Sequence, residues 1–147
     1  MVISFTVPGE PVAQPRVKAV NRGGFTRVYT PATAKPYKEA VRMVAMGHWR
    51  IPPASGPVIM HIDFLFARPK SITWKRRAMP RRPHTKKPDL DNLAKAVLDA
   101  LNGLLFFDDS QVVRLVLNKG YVAGGEEPHT VITITEVSNV ECVPGDS

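Results

Sequence analysis

At 147 residues the chain has the length of one domain and can bury about 70% of its unfolded surface without disulfides or a structural metal. Its single cysteine, Cys142, excludes an internal disulfide framework and a Cys-based zinc site, and no apolar run approaches the about 18 residues of a membrane span. Twenty Lys plus Arg against 13 Asp plus Glu leave a net charge of +7, which favours a polyanionic partner.

Val2–Val7 alternates loosely through Ile3, Phe5 and Val7 and stops at Pro8-Gly9, the pattern of a strand and a turn. Met1–Val7 lacks the charged start and long apolar stretch of a signal peptide, so a cytoplasmic, nucleoid-associated location is expected. The stretch from Pro11 to Gly24 is rich in Pro, Gly and basic residues and reads as a loop, with Arg27–Tyr29 as a short strand. Thr33 is placed to cap a helix in which Pro36 is tolerated in the first turn and Tyr37, Val41, Val44, Ala45 and His48 share one face. Ile51-Pro52-Pro53 ends it. Val58–Phe66 alternates over its whole length, as a long half-buried strand does.

From Arg68 to Lys87 there are nine basic residues (Arg68, Lys70, Lys75, Arg76, Arg77, Arg81, Arg82, Lys86 and Lys87) and no acidic one. Pro69, Pro80, Pro83 and Pro88 preclude a long regular element there, though a helical turn fits around Trp74–Ala78. Such a loop reads as a mobile basic arm over residues 68–88 that orders on its partner. Leu93, Ala96, Val97, Ala100, Leu101 and Leu104 mark the apolar face of a second helix ending near Gly103. Val112–Val116 and Val131–Thr135 read as two further strands, expected to pair antiparallel. The pattern predicts an α+β (mixed α/β) fold, one sheet of about four to five strands with two main helices, in a domain spanning 1–137 followed by a flexible tail, 138–147.

The second helix opens on an acidic cluster. Asp89 precedes its first turn, and Asp91, Lys95 and Asp99 project from the face opposite Leu93, Val97 and Ala100. Asp108 and Asp109 follow just before the strand at Val112; if that strand packs beside the helix, the pair returns toward Asp89 and Asp91. Each residue has an ordinary structural explanation: Asp89 as a helix cap, Asp91 as a first-turn acid, Asp91–Lys95–Asp99 as surface ion pairs, Asp108-Asp109 as a turn. Beside so much basic charge those explanations weaken, because carboxylates repel the phosphates that the basic residues attract. A divalent cation reverses the sign, since carboxylates in one pocket hold Mg²⁺ as hard oxygen ligands and Lys95 adds positive charge. The combination points to metal-dependent phosphodiester hydrolysis.

The motif Lys-Pro-Asp89-Leu-Asp91-Asn92-Leu-x-Lys95-Ala-x-x-Asp99-Ala-Leu-Asn-Gly, followed by Phe107-Asp108-Asp109-Ser-Gln111-Val, resembles the RusA family of Holliday junction resolvases. Gln14-Pro15-Arg16 and Tyr29-Thr30-Pro31 resemble that family's early elements, and the likeness covers most of residues 2–136. The resemblance implies Asp89, Asp91 and Asp109 as metal-binding catalytic carboxylates, with Asp108 a further candidate, and Lys95 as the essential lysine. It also implies a homodimer that uses Mg²⁺, with Mn²⁺ as an alternative ion and no small-molecule cofactor, to cut paired strands of DNA four-way junctions. A two-fold dimer matches the approximate two-fold symmetry of its substrate. The segment between Phe66 and Lys87 is longer than in the short bacterial form.

Phosphate contacts are expected from Arg16, Lys18, Arg27, Lys75, Arg76, Arg77, Arg81, Arg82, Lys86 and Lys87, with no membrane partner. His48 reads as a packed helix residue and His84 as an arm residue within range of phosphate. Trp74 is placed either to stack on an unpaired base or to anchor the arm. Asp99 is left as an ion-pair or dimer-contact residue, and Asn92 as one that orients a carboxylate or faces solvent. The rival functions are a non-catalytic basic protein that binds DNA junctions and a flap or duplex nuclease of the same fold.

Overall fold

The computed structural model describes residues 2–29, 31–74 and 77–137. Lys75 and Arg76, the tail 138–147 and Thr30 therefore lie outside the described residues.

The chain runs β1 (Val2–Pro8), β2 (Lys18–Arg22), β3 (Phe25–Tyr29), α1 (Lys35–His48), β4 (Val58–Phe66), β5 (Arg82–Pro83), α2 (Leu90–Leu101), β6 (Val112–Tyr121) and β7 (His129–Glu136). Among the described residues, five strands form a mixed sheet in the order β1-β7-β4-β6-β5, and β2 pairs only with β3. The α+β expectation holds, with a small second sheet added to it.

β4 takes the centre because it is the most apolar strand. Val58, Met60, Ile62, Phe64 and Phe66 are all buried on one face. Against that face pack Tyr37, Val41 and Ala45 of α1 and Leu93, Ala96, Val97, Ala100 and Leu101 of α2. The tie from α1 to the sheet is polar as well, because the Tyr37 hydroxyl shares a buried 2.6 Å hydrogen bond with Thr130. Burial raises the Tyr37 pKa well above its ordinary value, against the lowering effect of that bond.

Several expectations are corrected. β6 and β7 are not partners: β4 lies between them, parallel to β6 and antiparallel to β7. The β4-α2-β6 crossover forces the parallel pairing, and the loop after β6 then crosses the end of β4. The loop expected over 11–24 contains β2, whose register with β3 runs from Lys18–Tyr29 to Arg22–Phe25. A helical turn forms at Lys70–Ile72, while the turn expected around Trp74–Ala78 falls partly on residues outside the described ones; the cap of α1 is Ala34 rather than Thr33.

Along α2 the sequence explains both ends. Arg42 Nη1 of α1 donates to the carbonyls of Ala100 (3.0 Å) and Asn102 (3.1 Å), satisfying acceptors that the last turn leaves open. Gly103 then turns the chain, and its N–H donates to Phe106 O at 2.8 Å, holding the following loop against the C-terminal end of α2.

Candidate active site

At the other end of α2, Asp89 occupies the N-cap position but makes no side-chain capping bond. Its carboxylate is 51% exposed and faces the Arg16 guanidinium at 3.9 Å. Asp91 stands in the first helical turn, where the helix dipole favours a negative charge. Asp91 and Lys95 are both exposed, and neither has an ion-pair partner among the described residues. Asp99 differs, being paired with Lys38 of α1 at 3.6 Å. That pair ties the helices together and matches the ion-pair role expected for Asp99.

An open groove of about 500 Å³ borders Asp89, lined by Ala13, Gln14, Arg16, Lys87, Pro88 and Asn92. The Gln14 N–H donates to Asn92 O at 2.9 Å, which fixes the early loop against the helix start. Gln14 Oε1 is buried without a hydrogen-bond partner among the described residues. A buried carbonyl oxygen left without a partner is costly unless a donor or cation completes it.

One residue holds this corner and carries no signal in the sequence. Lys119, on β6, donates from Nζ to the carbonyls of Lys86 (2.6 Å) and Pro88 (2.7 Å), immediately before Asp89. A lone lysine in a strand reads as a solvent-facing residue; only the fold brings it under the Asp89 turn. Next to it, the neighbouring Gly120 lets β5 approach, since a Cβ there would stand 3.0 Å from Arg82 O.

The paired aspartates are placed elsewhere. Asp108 accepts from Ser110 N (3.1 Å), and Gln111 Oε1 accepts from the N–H groups of Asp108 and Phe107, a reciprocal cap on a 3-10 turn. The Ser110 bonds hold the Asp108 carboxyl below its ordinary pKa. Gln111 Nε2 in turn donates to Ala54 and Gly56. Asp109 makes no such side-chain bond among the described residues, and it is exposed.

The expected return of this pair toward Asp89 does not occur within one chain. α2 has 12 residues, which at 1.5 Å each separates its ends by about 18 Å. β6 gives an independent ruler, because Asp109 precedes Val112 while Lys119 supports Asp89, seven strand steps or about 23 Å away. Strand β6 does pack beside α2, but its C-terminal end is the one that meets Asp89. Accordingly, no group of three or more His, Cys, Asp or Glu side chains close enough to hold a metal exists among the described residues. What one chain offers at this helix start is the exposed Asp89 and Asp91 carboxylates, with the Gln14 side chain lining the groove beside Asp89. This hard-oxygen set fits Mg²⁺, which commonly takes one or two carboxylates and keeps its other positions for water and phosphate.

The basic segment is fastened at several points. Arg68 donates to Ile72 O, Pro80 O and Val122 O, and Met79 O accepts from Gly124 N at 2.7 Å. Arg81 is bound in a bidentate pair by Glu126 at 2.9 and 2.7 Å, which raises the Arg81 pKa and draws that of Glu126 down to about 2. Arg81 therefore has its charge already engaged. Trp74 lies beneath three guanidiniums, with Arg68, Arg77 and Arg82 centred 5.2, 4.2 and 5.7 Å from its ring. Of the two roles expected for Trp74, these contacts match anchoring the arm.

His84 is buried, not presented to phosphate. It stacks on Tyr121 at 4.4 Å and meets Phe66 edge-on at 4.7 Å, while its Nδ1 accepts from Lys86 N. Burial, then the neighbouring Lys119, lowers its pKa. Arg16, Lys18, Arg27, Arg77, Arg82, Lys86 and Lys87 are exposed. No helix among the described residues is long and apolar enough to cross a membrane.

Comparison with known proteins gives the class to which the chain belongs. The family model for endodeoxyribonuclease RusA matches residues 8–135, so the chain belongs to the RusA endodeoxyribonuclease family. It is also similar to YqaN of Bacillus subtilis (strain 168), an uncharacterized protein, with 42% identity over 142 residues, covering 92% of this chain and 97% of that one.

Proposed function

We propose that the protein is a Mg²⁺-dependent, structure-selective endodeoxyribonuclease that resolves DNA four-way junctions as a homodimer. The observation that carries this reading is the state of Asp89: a carboxylate at a helix start that neither caps the helix nor is buried in an ion pair, bordering a basic groove with an unsatisfied Gln14 oxygen. In a stability-driven design that carboxylate would cap. In a nuclease it is held ready for an ion.

In this reading Asp89 and Asp91 hold the ion, and Gln14 Oε1 accepts from a water beside it. Bound there, Mg²⁺ supplies charge neutralisation at the scissile phosphate and an acidified water. Lys95, one turn along from Asp91, offsets charge on the attacked phosphate. Arg16, Lys86 and Lys87 steer the backbone into the groove.

The position of Asp109 supports the dimer. β5 pairs with Tyr121 and Gly120 and His84 N donates to Lys119 O at 3.2 Å, so the edge of β6 without a neighbour among the described residues runs from Val112 to Asn118, and Val113 and Leu115 are exposed along it. Antiparallel pairing of that edge with its copy about a two-fold axis would set Val112 opposite the copy's Asn118, the residue before Lys119. Asp109 of one subunit then approaches Asp89 and Asp91 of the other, giving two equivalent sites for two opposed cuts.

Labelled four-way junction and linear duplex, each incubated with and without Mg²⁺, test the proposal. Paired nicks in the junction alone, and only with Mg²⁺, are expected. Metal-independent binding without cutting would favour the binding-protein alternative, and equal cutting of duplex or flaps would favour a less selective nuclease.

A further inference from the structure

The β2–β3 hairpin is unexplained by the metal site. It pairs with no other strand among the described residues, and every residue of β3 is exposed. An isolated two-stranded hairpin is marginal in water, and it ordinarily survives by burying an apolar face. This one instead leaves Val17 60%, Val28 64% and Phe25 80% exposed. Gly23 and Gly24, at φ +58° and +83°, form the tight turn, and a Cβ added at either would meet nothing within 4 Å. Phe25 is the first residue beyond that turn, so an aromatic ring stands at the tip with open space around it.

The hairpin is also purely cationic. No carboxylate occurs between Glu10 and Glu39, while Arg16, Lys18 and Arg27 are exposed along the arm. Its root is the candidate active site, where Gln14 is bonded to Asn92 and Arg16 faces Asp89. Five residues of strand carry the tip about 16 Å from that root.

We propose that this hairpin is a branch-point wedge, whose cations track the phosphates while Phe25 stacks on a base face exposed at the centre of a DNA junction. Linear duplex presents the same phosphates but keeps its base faces closed in the stack; a branch point presents both. The ring therefore selects substrate shape, where the carboxylates do the cutting. An aromatic on a basic element is the combination that binds unstacked bases, and apolar wedges open base steps in bent DNA. The inference rests on the reading of the protein as a junction nuclease.

Binding measured in EDTA tests it, using a four-way junction carrying 2-aminopurine beside the branch and a linear duplex of the same sequence. Wild-type protein is expected to prefer the junction and to brighten the probe. Phe25→Ala is expected to weaken junction binding about tenfold, leave duplex binding unchanged and abolish the brightening. Phe25→Trp is expected to restore both. Phe25 is exposed, so its truncation leaves the core intact. An unchanged junction-to-duplex ratio in Phe25→Ala, or no preference in wild type, overturns the wedge. So does loss of dimer in Phe25→Ala by light scattering, which would assign the hairpin to a second copy of the chain. Failure of wild type to cut in Mg²⁺ would sink the nuclease reading instead, because the binding assay needs no metal.

Discussion

Asp89 and Asp109 stand at opposite ends of the same helix. Asp89 is the N-cap of α2, and Asp109 follows the loop that Gly103 and Phe106 close against the helix C-terminus. Three carboxylates resembling one metal-binding set are thus divided by the length of α2, and the division decides which experiments are informative.

The two members of the pair at 108 and 109 are separable. Asp108 is engaged in capping its own turn, and Asp109 is free. Asp108→Asn, whose amide oxygen still accepts from Ser110, is expected to keep near-normal cleavage. Asp109→Asn is expected to lower it by at least about a hundredfold while junction binding persists, as for loss of a group that acts only in the transition state. Equal losses in both variants would remove the distinction.

Lys119 is expected to act on catalysis at a distance. Lys119→Met removes two charge-assisted hydrogen bonds from the carbonyls before Asp89, a loss of about 2 kcal/mol in local stability. The measurement is kcat against KM on a junction: kcat should fall and KM stay near wild type, because the phosphate-binding cations are untouched. A change in KM alone would make Lys119 a DNA contact.

Trp74 orders Arg77 and Arg82 as well as Arg68. Trp74→Ala is expected to weaken binding of linear duplex and junction alike, by up to about tenfold. Trp74→Phe should recover part of it. A loss confined to the junction would instead mean that Trp74 stacks on an exposed base.

Protonation of His84 opposes the fold. Burial and Lys119 lower its pKa below 6.5, and its Nδ1 must stay unprotonated to accept from Lys86. Between its folded pKa and 6.5 the unfolded chain binds more protons, so stability is full above about pH 6.5 and declines as pH falls through that window. His84→Phe, which keeps the stack on Tyr121, should flatten that decline in chemical-denaturation curves. The Glu126 carboxylate contributes a separate decline lower down, from its ordinary 4.5 toward about 2, because its pKa is depressed by Arg81.

Much of this molecule is legible in its residues. The alternation of Val58–Phe66 and the apolar stripe of Leu93–Leu101 give β4 and α2 directly, because burial on one face imposes period on sequence. Only the β2 half of the hairpin is hidden, because Lys18–Arg22 has no apolar period to show, whereas Arg27–Tyr29 reads as a short strand. Strand order is hidden for a different reason: Val112 and Val131 begin strands that follow one another in the chain, and the apolar excess of β4 separates them in the sheet. The acidic motif is legible as chemistry but not as geometry, since nothing local fixes the end of α2 at which Asp109 falls. His84 and Lys119 look like two more members of a basic surface until Tyr121 and Pro88 are found against them.

Subunit mixing tests the account most directly. Asp91→Asn and Asp109→Asn proteins, each inactive alone, are to be combined under conditions that exchange subunits, and junction nicking measured in Mg²⁺. If each site joins Asp91 of one chain to Asp109 of the other, a mixed dimer has one intact and one doubly damaged site. Random exchange then restores about a quarter of the wild-type sites, read as single nicks without paired cuts. A mixture as inactive as its components, with exchange verified, would contradict a site shared between two copies.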